Sequence, residues 1–254
     1  MARPFKILYE YFALYCSLSL LALLCLTWSV FALPLYVLLP ARPGTALGRF
    51  VIMAGFRFYA WSLSVTRAYR LDMRDIDRLR GGPPVVLAPN HPSLIDAVLI
   101  LAHHPNVACV MKSELMNNAF LGSGARLARF VGNDSPRQMI KESVAHLRRG
   151  SVLLLFPEGT RTKRSPINAL TGSVGLIAKY AHVPVQTLLI ETDSPFLSKG
   201  WSLFRRPPLP ITYRVRLGER FEAPVDAALF TAELERYFRL ALAKAPQSRW
   251  LASS

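Results

Sequence analysis

Two polar runs interrupt apolar stretches of the chain, and both carry residues able to do chemistry. The first is Asn90-His91-Pro92-Ser93-Leu94-Ile95-Asp96, directly after the apolar Val85–Ala88. An imidazole near a carboxylate makes a base and its orienter: the carboxylate fixes one ring nitrogen and leaves the other to accept a proton. The second is Phe156-Pro157-Glu158-Gly159-Thr160-Arg161-Thr162, which closes the apolar run Val152–Phe156. Gly159 permits close backbone approach to a ligand. Arg161 offers a planar fork for phosphate or carboxylate, with Lys163 and Arg164 beside it.

The surrounding pattern is that of an α/β domain from residue 65 onward, in which apolar runs alternate with amphipathic ones. Strands are predicted at Val65–Leu71, Val85–Ala88, Val107–Met111, Val152–Phe156, Val183–Ile190 and Ile211–Leu217. Helices are predicted at Pro92–His103, Ser135–Arg149, Thr171–Ala181 and Pro224–Lys244. Asp134 is the expected N-cap of the second helix, which Gly150 closes. Both polar runs therefore fall just past the carboxyl ends of strands, where open α/β sheets bind ligands. His91 is placed in the strand-to-helix turn, Pro92 starts the helix, and the ring folds back toward Asp96. Backbone N–H groups at this helix start are the expected donors to an oxyanion.

The N-terminal 64 residues differ in character. Tyr11–Leu39 carries no charge, is longer than the ~20 residues a membrane span needs, and contains Pro34. No cleavage-site pattern follows it, which argues against a signal peptide. Thr45–Val65 is apolar and aromatic but includes Arg49 and Arg57, expected to reach lipid headgroups while Phe50, Phe56, Phe58 and Trp61 sit deeper. Basic residues flank the apolar run on both sides, so a membrane-inserted helical hairpin turned at Pro40–Gly44 is preferred to a single crossing. The chain divides into a membrane-anchoring segment, 1–64, and a second domain, 65–254. Hydrophobic residues make up 52% of the chain and net charge is +15, which suits an anionic partner. No nucleic-acid-binding motif accompanies that charge. The three cysteines form no disulfide framework, and no Cys/His grouping has metal-ligand spacing.

The two polar runs resemble the signatures of the glycerolipid acyltransferases typified by bacterial lysophosphatidic acid acyltransferases, Asn-His-x-x-x-x-Asp and Phe-Pro-Glu-Gly-Thr-Arg. The likeness covers about residues 65–217 and extends to the apolar N-terminal hairpin. It implies a mixed sheet flanked by helices and direct transfer of a fatty acyl group from acyl-CoA or acyl carrier protein to a lipid hydroxyl. It also implies no cofactor beyond that co-substrate, no metal, the lipid bilayer as a partner, and a catalytic domain on the cytoplasmic face of a bacterial inner membrane. His91 would be the general base and Asp96 its orienter; Glu158, Gly159, Thr160 and Arg161 would hold the acceptor. Two departures concern that acceptor. Asn133 stands where members with a glycerol-phosphate acceptor usually have an arginine, unless Arg126 or Arg129 substitutes. Val183-Pro184-Val185-Gln186-Thr187 lacks a second proline. Lyso-ornithine lipid or a polyene-lipid intermediate are therefore alternative acceptors, with Asn133 facing the headgroup. Readings of other classes are a non-catalytic basic protein of the membrane surface and a hydrolase using Ser93, although no Gly-x-Ser-x-Gly elbow is present.

Overall fold

The computed structural model describes residues 3–118 and 122–247. Its strands are β1 (Tyr69–Asp72), β2 (Val86–Pro89), β3 (Val107–Met111), β4 (Val131–Gly132), β5 (Val152–Leu154), β6 (Val185–Thr192) and β7 (Ile211–Phe221). They form a seven-stranded sheet in the order β1-β7-β6-β2-β5-β3-β4. From β6 to β4 every pairing is parallel. β7 runs antiparallel to β6, and β1 follows β7. The expected mixed sheet is the observed one.

Parallel strands need both faces covered, and the helices do this in two layers. The helices are α1 (Arg3–Leu38), α2 (Ala41–Val65), α3 (Arg74–Asp77), α4 (Asp96–Leu101), α5 (Ser113–Met116), α6 (Gly122–Leu127), α7 (Pro136–Arg148), α8 (Ser173–Ala181) and α9 (Ala227–Ala241). Leu87, Cys109 and Leu154 point to one side and pack with Leu63 of α2 and Leu99 and Ile100 of α4. Their neighbours Ala88, Ala108 and Leu153 point to the other and pack with Leu147 of α7, Ile177 of α8 and Phe238 of α9. The period of two along each strand divides the core.

The N-terminal helices are packed into this body. α1 and α2 meet at Leu39–Pro40 and run back along each other, so that the Tyr9 hydroxyl donates to the Thr66 carbonyl. Ala13, Leu14, Tyr59, Ala60 and Leu63 belong to the same core cluster as the sheet. Gly48 lies against the Ala128 backbone and Gly124 against the Trp28 ring, so close that a Cβ at either would clash. Segment 1–64 thus shares the core of the remainder. Pro4–Leu38 is long and apolar enough to cross a membrane. However, its buried residues Glu10, Ala13, Leu14, Ser29 and Ala32 follow helical spacing and mark one stripe docked along the protein.

Several local expectations are corrected. Arg49 does not reach outward: it is buried, with Nε donating to Ala128 O, Nη1 to Asn106 Oδ1 and Ser151 Oγ, and Nη2 to His146 Nδ1. Only Arg57 of the pair is exposed. Ser135, not Asp134, caps α7, because its hydroxyl accepts from Gln138 N; Asp134 instead accepts from the Ser113 hydroxyl at 2.6 Å. α2 extends to Val65 and delays the first strand to Tyr69. α4 begins at Asp96 rather than Pro92, which leaves His91–Ile95 as a turn.

Candidate active site

β2 and β5 are neighbours in the sheet and end side by side. Their following turns bring the two polar runs together. The His91 ring stacks on Phe156 with centroids 3.8 Å apart, and Thr162 N donates to His91 O at 2.7 Å. Asn90 locks the turn from the other side. Its amide donates to Ile190 O and its carbonyl accepts from Ile190 N, so β2 is tied to β6 just beyond the ladder.

His91 Nδ1 lies 2.7 Å from Asp96 Oδ2. The turn before α4 permits this, since the Ser93 amide also donates to Oδ2 at 3.0 Å and draws the carboxylate back over the turn. Asp96 is fully buried, and its Oδ1 has no partner among the described residues. Burial pushes the Asp96 carboxyl up; the His91 hydrogen bond and charge, the Ser93 amide and Arg161 oppose that shift. With Nδ1 engaged, His91 presents Nε2 as the nitrogen free to take a proton. The expected amide donors at the helix start are already used: Ser93 N serves Asp96, and Leu94 N donates to Leu197 O. The Ser93 hydroxyl is buried and donates to Phe196 O at 2.9 Å, a position that does not suit a nucleophile.

Glu158 has a different place from the one expected. It is buried, and its carboxylate accepts from His91 N, Thr162 Oγ1 and Asn168 N at 2.9, 2.7 and 2.8 Å. These bonds clamp the second polar run to the first, so Glu158 positions the site rather than facing a ligand. Burial raises its pKa. Gly159 adopts φ 65°, a conformation that favours glycine, and turns the chain so that Thr160 and Arg161 face outward of the clamp. Arg161 Nη1 donates to Leu197 O and Ser198 O at 2.8 and 2.9 Å.

That pair of bonds exposes an element the sequence reading missed. The loop after β6, Ser194–Gly200, walls the site; Leu197 holds a left-handed φ of 57° that turns successive carbonyls toward Arg161. Lys199 Nζ donates to Thr160 Oγ1 at 2.8 Å. The Lys199 pKa is lowered by desolvation and then by the nearby charges of Lys163, Lys112 and Arg161. Four cations from three segments therefore share one field beside the His91–Asp96 pair. The run Ser198-Lys199-Gly200 after a strand was the available signal, but a lone lysine in a loop gives no direction.

Asn133 leaves the sheet beside Lys112, at the same carboxyl edge, because Met111 of β3 pairs with Gly132 of β4. It is exposed at the end of β4, the edge strand, and its Oδ1 accepts from Ser113 N at 3.4 Å. Arg126 is held by Met116 O and Ser123 Oγ. Arg129 lies beside His146, in the Arg49 cluster at the amino ends of β3 and β5.

Similarity to known proteins agrees with the geometry. The family model described as Acyltransferase matches residues 70–191, which include both polar runs. A 1-acyl-sn-glycerol-3-phosphate acyltransferase of Pseudomonas aeruginosa is 24% identical over 207 residues, covering 79% of this chain and 78% of that protein. The crystal structure of the 1-acyl-sn-glycerophosphate acyltransferase PlsC from Thermotoga maritima superposes with a TM-score of 0.66 at 16% identity, over 96% of this chain and 98% of that one. The fold is shared nearly end to end, N-terminal helices included.

Proposed function

We propose that the chain is an O-acyltransferase of the glycerolipid acyltransferase kind, which moves a fatty acyl group from acyl-CoA or acyl carrier protein to the hydroxyl of a lysolipid with an anionic headgroup. The observation that carries the reading is the 2.7 Å contact between His91 Nδ1 and Asp96 Oδ2 beside the cation cluster. His91 Nε2 removes the acceptor hydroxyl proton as the oxygen attacks the thioester carbonyl. Asp96 holds the tautomer and stabilises the imidazolium. The C–S bond then breaks and the proton passes from His91 to the departing thiolate. General-base help of this kind contributes ~10²–10⁴-fold; positioning must supply the rest. Glu158 acts by holding the two turns in register.

The cation cluster revises the acceptor argument. Arg161 has further positive charge near it, from Lys199 on Thr160 and from Lys163 and Lys112, although Asn133 is not an arginine. Positive charge gathered at this edge favours a lysophosphatidic-acid-like headgroup over a zwitterionic one. The P. aeruginosa relative is named for such an acceptor. Outside the site, the outer stripe of α1 exposes Leu8, Phe12, Tyr15, Leu23, Val30, Phe31 and Val37. Because the opposite stripe is docked along the body, this helix rests lengthwise on one face of a bilayer. On this reading the site opens on the cytoplasmic surface of an inner membrane.

The test is a panel of acceptors with one acyl-CoA: lysophosphatidic acid, lyso-ornithine lipid and lysophosphatidylethanolamine. The cluster predicts that lysophosphatidic acid is acylated fastest, and that Lys199→Ala raises its KM without changing that of acyl-CoA. Preference for lyso-ornithine lipid would reject the headgroup assignment while keeping the chemistry. Release of free fatty acid alone would reject both.

A further inference from the structure

The loop that walls the site continues into an exposed apolar tip. Beyond Gly200 the chain makes a tight turn at Trp201–Arg206, in which Arg205 N donates to Ser202 O and Trp201 Nε1 to Arg205 O at 2.9 and 3.1 Å. At its apex Leu203 and Phe204 are 47% and 67% exposed. The Arg205 guanidinium lies 4.5 Å over the Trp201 ring, and that of Arg206 lies 5.7 Å over Tyr11. Arg206 also pairs with Glu10 of α1, which is almost wholly buried and accepts from Leu209 N. The tip is thereby fastened to α1 beside Phe5, Leu8 and Phe12, which are exposed as well.

We propose that Leu203 and Phe204 are a second membrane contact, which dips into the bilayer next to α1 and links lipid binding to the acceptor wall of the active site. The proposal rests on the acyltransferase reading, with α1 on the bilayer surface. Three features select a lipid surface as the occupant. The turn that carries the exposed apolar residues is fastened to α1 at Tyr11 and Glu10. Trp201 and Tyr11 are the ring types that settle at the headgroup level. Arg205, which has no carboxylate partner among the described residues, brings the positive charge that anionic headgroups attract. The inward path is equally explicit. Trp201 meets Phe196 edge-on at 6.1 Å and donates from its backbone N to Ser198 O. Ser198 O and Leu197 O in turn hold Arg161, and Lys199 holds Thr160. Lipid that anchors the tip orders the wall that receives the acceptor headgroup.

The experiment has one readout independent of activity and one that depends on it. A polarity-sensitive fluorophore is attached at Phe204→Cys in a Cys16→Ser/Cys25→Ser background, which leaves only the buried Cys109, with Val225→Cys as the control on an exposed site before α9. On addition of phosphatidylethanolamine/phosphatidylglycerol vesicles, the probe at 204 should shift to the blue and brighten, and the probe at 225 should not. An unshifted probe at 204 overturns the proposal whatever the enzyme does. Leu203→Ser/Phe204→Ser should then lower the rate on acceptor embedded in those vesicles by about tenfold, with the rate on a short-chain acceptor free in solution unchanged. Equal loss in both formats, or loss in neither, overturns the link to the active site. A shifted probe with no acyl transfer to any acceptor would instead sink the acyltransferase reading and leave the membrane contact standing.

Discussion

His91 and His146 both contact a charged side chain at opposite ends of the same group of strands, yet the two pairs serve different ends. At the carboxyl ends, His91 faces a carboxylate, keeps one ring nitrogen open, and stands beside a carboxylate oxygen without a partner. At the amino ends, His146 accepts from Arg49, whose Nε and Nη1 donate to Ala128 O, Asn106 Oδ1 and Ser151 Oγ. Burial, then the charge of Arg49, pushes the His146 pKa down to about 4. A negative partner supports the imidazolium that proton transfer creates; a positive partner keeps the ring neutral. The opposite charge and the open nitrogen suit proton transfer, whereas the bonds around Arg49 suit a fixed structural contact.

The contrast can be broken from either end. The largest effect belongs to the carboxylate. Asp96→Asn should keep its volume and fold but lower kcat by ~10²–10⁴-fold, read against an unchanged melting curve. A smaller effect is expected at Arg161→Ala, where two carbonyls lose their donor and the anionic acceptor loses a cation. Acceptor KM should rise about tenfold, equivalent to ~1.4 kcal/mol, and donor KM should hold; a shift confined to the donor would reassign this arginine. At the amino end the signs reverse. Arg49→Met should lower unfolding free energy by ~2–4 kcal/mol in urea titration, because buried acceptors lose their donor, and activity per folded molecule should stay within about twofold.

The smallest effect is a pH dependence. A histidine whose folded pKa lies below its unfolded value binds fewer protons when folded. Its contribution is therefore fully present above pH 6.5 and is lost as pH falls from 6.5 toward about 4. His146→Gln should flatten the stability profile across that window. An unaltered slope would show that the acid sensitivity arises elsewhere.

Much of this was legible in the sequence, and the parts that were not share a cause. The strands at residues 86–89, 107–111 and 152–154 stand out as short apolar runs, and the polar residues after two of them announce the site. The His91–Asp96 pair follows from spacing, because both residues sit in one turn. The burial of Arg49 does not follow. Helical periodicity places a residue on a face but cannot say which face meets Asn106 and Ser151, more than fifty and a hundred residues away. The same holds for Glu158, a charged residue in a polar loop that looks available until His91 N, Thr162 and Asn168 enclose it. Lys199 reaches Thr160, next to Arg161, from a loop that sequence adjacency could not bring there. The α7 cap was misread by one residue because both Asp134 and Ser135 can cap a helix, and Ser113 claims the aspartate.

The central claim is that His91 is the base, and it is tested by turnover of purified protein with oleoyl-CoA and radiolabelled lysophosphatidic acid, comparing the native chain with His91→Ala. The account predicts labelled diacyl product from the native chain and a rate lower by ~10²–10⁴-fold in the variant, with the same melting temperature and the same association with vesicles. A His91→Ala protein that acylates the acceptor at close to the native rate would contradict it.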